Sequence, residues 1–471
     1  MDGAAAIFQK DWCENEFSCI DLGDERLNKR FIRFSQNLLI NPESSINGAH
    51  LGWPETKAAY RMLDNEKLTP QRILEAHHEA LAERIGEQQI VLAIQDTTYF
   101  RFDALVDLRR EEPRKRFRDM YGIVMHHCLA VSTDGLPLGQ LSCKLYDRDI
   151  GSYYGGHYDH QKIPIEQKES YRWIESLQET NNFSQNHDVK FVTVADRECD
   201  IYEFLQEAAD LGEDYVIRVA KDRRTVDHSY TKAPEMKIWN ITENSPIIGS
   251  YKIRLINHSQ PRSVELSVRV CQLTLKPAKR HPEARSKELR PINVTCILVR
   301  EESPPSGIER IEWMLMTNLE IKTFEDACEK VSWYEKRWTI ESFHKVLKSG
   351  FKAEKCQLKT PERLYRFIAT ISILAVRLYE FSHRVRTEPN ESCEKILKEH
   401  EWKALEHKIK GRPNTSNVPP DLQNAMNWVA ILGGYLNRKS DPPPGAMVMW
   451  RGWKRLQDIS DSWLVFQKTY G

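Results

Sequence analysis

The sequence predicts a mixed α/β fold: one sheet-based core with a β-rich insertion, flanked by helical segments at both ends. Three observations predict it. Short apolar runs between about 89 and 220 alternate with helical periodicity. Between 223 and 309 the pattern changes to period two with proline-punctuated loops. Before 70 and after 370, apolar residues recur at helical spacing.

The elements follow in order. Asp24 is a good N-cap for the segment ERLNKRFIRFSQNLL. Its residues Leu27, Phe31, Phe34 and Leu38 form one stripe, and Arg26, Lys29, Arg30 and Arg33 an adjacent one. Such a helix can bury one face and lay cations along a phosphate backbone. A solvated face near acidic neighbours is the alternative. QIVLAIQDTTYF (89–100) reads as a buried strand running into polar residues. GIVMHHCLAV and LPLGQLSCKLY flank Asp134-Gly135, a strong hairpin signal. A helix is expected over 166–181. KFVTVAD (190–196) is a second buried strand ending in Asp. IYEFLQEAADLG is a helix closed by Gly212, and DYVIRVAK a further strand. SVELSVRVCQLTL is an antiparallel strand of the insertion, which reads as separate from the parent sheet. IEWMLMTNL (311–319) resumes the core. One long helix is expected over 323–348, with Gly350 as terminator. The rest is mostly helical, with a turn at Pro442-Pro443-Pro444.

Composition bounds the function. A chain of 471 residues favours two to four domains. Lys plus Arg and Asp plus Glu both number 68, so a nucleic-acid surface has to come from local segregation of charge. Ten cysteines without CxxC spacing argue against a zinc knuckle or a disulfide scaffold and suit a reducing cytoplasm. The N-terminus is acidic and does not read as a secretory signal. No stretch reaches the roughly 20 apolar residues of a membrane span.

Two carboxylates, Asp96 and Asp196, each follow an apolar strand, where fixed geometry can bring them together. Mg²⁺ takes hard oxygen ligands, and two ions about 4 Å apart can activate an attacking oxygen and stabilise a leaving one. The third carboxylate is found in Tyr334-x₂-Arg337-x₃-Glu341-x₆-Lys348. On a continuous helix with Tyr334 at 0°, the other three fall at roughly −60°, −20° and −40°, along about 21 Å. A phenol, a guanidinium, a carboxylate and an ammonium on one stripe suit a metal and successive phosphates. An exposed stripe laced with ion pairs is the alternative.

That spacing resembles the signature of DDE transposases of the insertion-sequence-four family. LGDERLNKR, AAYRML, AIQDTT, KESYRW (168–173), ADRECDIY, YVIR (215–218), EWMLMTN, WVAILGGYLNRK and WRGWKRLQ also resemble that family, so the likeness covers nearly the whole chain. It implies a ribonuclease H-like catalytic core. Asp96, Asp196 and Glu341 match its metal triad, with two Mg²⁺ per site and Mn²⁺ as a substitute. Tyr334, Arg337 and Lys348 match phosphate-contacting positions. Trp313 matches a tryptophan that stacks on a flipped base, and Arg218 an arginine near DNA. Arg26, Lys29 and Arg30 are expected on the DNA backbone. Ile40-Asn41 and residues 46–56 depart from the family pattern, so base contacts are not carried over.

The resemblance implies an organisation of 1–70 as an end-binding helical domain and 71–222 as the first part of the core. It continues with 223–309 as the insertion, 310–370 as the second part of the core and 371–471 as a helical dimerisation domain. The implied partners are double-stranded transposon ends and target DNA, with a homodimer assembled on DNA and no membrane. The implied setting is the bacterial cytoplasm, at the nucleoid. Three other readings stay open: a structure-selective nuclease on the same core, a catalytically dead DNA-binding protein, and a zinc hydrolase drawing on His126, His127, His157 and His160. The basic run 109–119 is expected as a loop, solvated or touching DNA.

Overall fold

The computed structural model describes residues 12–42, 44–49, 52–86, 88–102, 122–147, 162–226, 237–255, 262–277, 279–280, 282, 288–411, 418–438, 441 and 444–470. The basic run 109–119, His157 and His160, parts of the loop 276–291, and Pro442-Pro443 lie outside the described residues.

The N-terminal region is helical: α1 (Trp12–Glu16), α2 (Glu25–Ile40), α3 (Ile46–Ala49), α4 (Trp53–Leu63) and α5 (Pro70–Ile85). Asp24 caps α2, its side chain accepting from the Arg26 amide at 2.8 Å. Phe31, Phe34 and Leu38 are buried, and Phe17 meets Phe31 edge-on at 5.0 Å. Thr69 caps α5, and Pro70 occupies its first turn, where no intrahelical donor is needed.

The core begins with three antiparallel strands, β1 (Ile90–Arg101), β2 (Gly122–Ser132) and β3 (Pro137–Asp147). The hairpin turn between β2 and β3 uses Gly135 at φ 101°, a conformation that suits glycine. Then come α6 (Arg172–His187), β4 (Lys190–Ala195), α7 (Tyr202–Leu211) and β5 (Asp214–Arg218). The α6 helix starts later than its expected span, after two 3₁₀ turns. Gly212 ends α7 in the left-handed region. Both β1–β4 and β4–β5 are parallel. Leu92 and Ile94 pack to one face of β1, and Val91 and Ala93 to the other, because strand side chains alternate. Both faces are covered, which explains the unbroken apolar runs in the sequence.

The insertion contributes α8 (Ile238–Glu243), β6 (Ile247–Leu255), β7 (Arg262–Leu275) and β8 (Ile292–Arg300), followed by β9 (Glu312–Thr317). It is not separate from the parent sheet, contrary to the sequence expectation. The strands form one sheet in the order β3-β2-β1-β4-β5-β9-β8-β7-β6. Otherwise β5 would leave a buried edge without partners; β9 returns antiparallel to close it, and β8, β7 and β6 extend the ladder.

The expected single helix over 323–348 is two: α9 (Phe324–Glu335) and α10 (Trp338–Lys345), followed by a π-helical turn, Val346–Gly350. At the join, Arg337 N–H bonds Tyr334 O at 3.0 Å and Thr339 N–H bonds Lys336 O at 2.9 Å. These i to i−3 bonds tighten one turn without leaving helical backbone angles. Among the described residues four more α-helices follow: α11 (Pro361–Thr387), α12 (Glu399–Lys410), α13 (Leu422–Leu432) and α14 (Ala446–Tyr470).

Polar clamps fix the N-terminal helices to this body. Arg84 donates to Glu16 at 2.6 and 2.9 Å, and Glu16 also meets His77 Nδ1. Gln140 N–H donates to His77 Nε2 at 2.8 Å, so Nδ1 carries the proton of the neutral ring toward Glu16. Arg366 on α11 donates to Leu63 O and Leu68 O. All ten cysteines are free. Among the described residues no helix is long and apolar enough to cross a membrane.

Candidate active site

Because β1 and β4 lie side by side and parallel, their carboxyl-terminal ends are neighbours. Their pairing stops at Ile94–Val194, and Asp96 and Asp196 lie just past it. Asp96 is not at the end of its own strand, as the sequence suggested, since β1 runs on to Arg101 while pairing with β2. It is at the end of the parallel ladder. Asp196 follows β4 directly and caps a 3₁₀ turn, accepting from Glu198 N–H at 2.8 Å. Asp96 Oδ1 accepts from Thr97 N–H at 2.8 Å.

Burial pushes the Asp96 carboxyl up to about 6. The Asp196 and Glu341 charges add to the rise, and the Thr97 amide and Arg337 oppose it. A half-buried carboxylate crowded by further acids in this way attracts a cation. The third acid is bonded to a neighbouring cation: Arg337 Nη2 donates to Glu341 Oε1 at 2.6 Å. Among the described residues, no group of three His, Cys, Asp or Glu side chains is gathered closely enough to hold an ion as it lies.

Of the expected stripe, Tyr334 and Glu341 are both linked to Arg337. Tyr334 is buried, which raises its phenol, while Arg337 and Arg218 draw it the other way. The Trp313 ring, half-buried on β9, lies 6.3 Å from the Tyr334 ring. Arg218 at the end of β5 donates from Nη2 to Glu312 O at 3.3 Å, and its Nε is buried without a partner. Lys348 stands in the π-turn with Nζ 5.7 Å from the Phe100 ring. Burial lowers its ammonium, with Arg101 adding to the effect and Glu354 and Asp96 opposing it. Asp96, Asp196, Arg218, Trp313, Tyr334, Arg337, Glu341 and Lys348 thus form one linked set of contacts and fields. Arg26, Lys29 and Arg30 form a separate exposed row on α2, where Lys29 also pairs with Glu25 at 2.6 Å.

Three residues near the site escaped the sequence reading. His344 Nδ1 lies 3.9 Å from Asp96 Oδ2, three residues beyond Glu341, a spacing that could have flagged it. Trp338, 65% exposed, sits beside the Arg337 guanidinium at 5.7 Å. Arg172 bonds the segments of both aspartates, which only tertiary structure reveals. His126 and His127 point to opposite faces, against Trp173 and Phe343 respectively. Burial pulls His127 down to about 3 and His126 well below its ordinary value, so both are neutral.

Residues 9–68 match the transposase DNA-binding family, and residues 174–377 match the transposase DDE domain family. The first match contains Arg26, Lys29 and Arg30. The second contains Asp196, Arg218, Trp313, Tyr334, Arg337, Glu341 and Lys348. Asp96 lies upstream of it and joins the site through the β1–β4 pairing. The large mixed sheet with flanking helices is the α/β architecture of a DDE, ribonuclease H-like domain. The chain therefore carries a transposase DNA-binding domain followed by a transposase DDE domain, and the DDE domain indicates a DNA-cleaving and strand-transferring enzyme.

Proposed function

We propose that the protein is a cut-and-paste DNA transposase of the insertion-sequence-four family, resembling the transposase of transposon five, that works through a hairpin intermediate. The observation that carries the reading is the meeting of Asp96 and Asp196 beyond one parallel ladder, with Tyr334, Arg337 and Lys348 close to them.

Asp96, Asp196 and Glu341 would hold two Mg²⁺ ions, or Mn²⁺ in their place. The acidic crowding that raises Asp96 fits a divalent cation, and Glu341, now bonded to Arg337, would complete the set of acids. Bound there, the ions supply charge neutralisation and Lewis acidity at phosphorus. The chain's own groups do the holding. Arg337 offers a planar fork to a phosphate, Lys348 a point charge and Tyr334 a hydroxyl. A phosphate on Arg337 replaces Glu341 as its partner, so DNA binding and completion of the acidic triad are coupled. Trp313 offers a face to an unstacked base and offsets part of the unstacking cost. Arg218 contributes charge near the same DNA segment. Arg26, Lys29 and Arg30 hold the backbone of the transposon end.

In the proposed order, water first cuts one strand and frees a 3′-OH. That hydroxyl attacks the opposite strand and closes a hairpin on the transposon end. A second water opens the hairpin, and the 3′ end then joins target DNA. Each step is an in-line displacement at phosphorus, so one site suffices. A homodimer bridges two ends, with the helices after 371 as the contact, and the protein acts at the bacterial nucleoid.

Incubation with inverted-repeat DNA and Mg²⁺, resolved on a denaturing gel, tests the reading. A hairpin-terminated product is expected, and Trp313→Ala should slow its formation more than the first nick. Blunt open ends with no hairpin at any time would overturn the hairpin step. Cutting without any joining would favour the nuclease reading instead.

A further inference from the structure

We propose that Arg172 is a positioning residue that ties the Asp96 segment to the Asp196 segment and sets the spacing of the two carboxylates. The inference rests on reading those carboxylates as a metal site.

Arg172 is the first residue of α6, with its side chain only 8% exposed. Its guanidinium is spent in three directions. Nε donates to Thr97 Oγ1 at 3.0 Å, Nη1 to Glu169 O at 2.9 Å, and Nη2 to Glu198 Oε2 at 2.8 Å. The two outer arms have the same construction. Thr97 gives its backbone N–H to Asp96 Oδ1, and Glu198 gives its backbone N–H to Asp196 Oδ1, each at 2.8 Å. Each arm of Arg172 therefore grips the side chain of a residue whose amide holds one of the acids.

The need for such a tie follows from the ladder. Backbone pairing between β1 and β4 ends at Ile94–Val194, so no hydrogen bond of that ladder fixes Asp96 relative to Asp196. The two acids repel, and that repulsion contributes to the raised pKa of Asp96. A cross-link is required where the ladder stops, and Arg172 supplies it. Arginine suits the task because its planar fork holds two acceptors at fixed separation. The Thr97 arm is buttressed further by His126, whose Nδ1 lies 2.9 Å from Thr97 Oγ1. Glu198 is 60% exposed and would rotate freely without its guanidinium partner. The depth of Arg172 and its three filled contacts make it a support for the site, not a contact for DNA.

The test uses the full-length protein and Mn²⁺ as the probe, with free Mn²⁺ followed by electron paramagnetic resonance. Arg172→Lys keeps the charge and loses the fork. Thr97→Val removes one arm and keeps the strand-forming shape. Both are expected to weaken Mn²⁺ binding about 10- to 100-fold, the usual cost of losing support behind a ligand. Binding to an inverted-repeat duplex without metal should be unchanged, and the double variant should cost no more than the worse single one. A wild-type Mn²⁺ site that both folded variants retain at full affinity would overturn the inference alone. So would losses that simply track the melting temperature. Wild-type protein that binds Mn²⁺ no better than Asp96→Asn would overturn the metal-site reading, and this inference with it.

Discussion

Glu16 is a buried carboxylate and Asp96 a half-buried one, and their surroundings drive them in opposite directions. Burial alone would raise Glu16, but Arg84 and His77 draw it down to about 2. Burial raises Asp96 to about 6, and its nearest charges are mostly further acids. Glu16 has a partner on each oxygen, with Arg84 on both and His77 on one. Asp96 accepts one backbone amide, has the His344 ring 3.9 Å from Oδ2, and faces Asp196 and Glu341 with only the incomplete counter-charge of Arg337 and Lys348. The first arrangement is complete and holds α1 to α5. The second is unbalanced within the protein, and a cation with DNA phosphate would balance it. A half-buried acid left short of positive charge by its own fold is a stronger sign of function than burial by itself.

The comparison can be broken from the active side first. Asp96→Asn or Asp196→Ala should lower DNA cleavage by roughly 10³-fold or more, since several kcal/mol of transition-state stabilisation depend on the metal. Asp96→Asn should not lower the melting temperature of the metal-free protein, because it relieves like-charge crowding and keeps an acceptor for Thr97 N–H. Asp196→Ala also loses the cap on Glu198 N–H and should lower it slightly.

On the structural side the order reverses. Glu16→Ala leaves Arg84 without its carboxylate and should cost ~3–5 kcal/mol in a denaturant titration. The fraction that remains folded should cut DNA normally.

A pH series sharpens the contrast. The Glu16 pKa is depressed, so its stabilisation is full above the ordinary 4.5 and is lost as pH falls toward about 2. The Asp96 pKa is raised, so its charge costs stability above about 6, and that cost is recovered as pH falls toward 3.8. Melting curves of wild type minus Glu16→Gln, and of wild type minus Asp96→Asn, should therefore slope oppositely in metal-free buffer. Mg²⁺ should flatten the second difference and leave the first unchanged.

The smallest effect is expected on α2. Lys29→Ala and Arg30→Ala should each weaken end binding evenly across sequences and lower the salt slope by about one. Mobility shifts at several salt concentrations would show it. A loss confined to one DNA sequence would instead mean base contact.

Much of this was readable before the fold. Asp24 as a cap, the Asp134-Gly135 hairpin, the alternation of strands and helices, and the Tyr334–Lys348 spacing depend on local rules of periodicity and turn chemistry. Other features depend on partners distant in sequence. Nothing in residues 223–309 says that β8 will pair with β9, because strand pairing is not written in a strand's own pattern. The tightened turn at Lys336–Arg337 contains neither glycine nor proline to announce it. The roles of Arg172 and His344 depend on what lies opposite them, so composition and spacing could place them on helices but not beside Asp96.

One measurement bears on the central claim most directly. Wild type, Asp96→Asn and Glu16→Gln are compared for cleavage of an inverted-repeat duplex with Mg²⁺, at a temperature where all three are folded. Wild type and Glu16→Gln should cut, while Asp96→Asn should bind the duplex and leave it intact. Cleavage by Asp96→Asn at the wild-type rate would contradict the account.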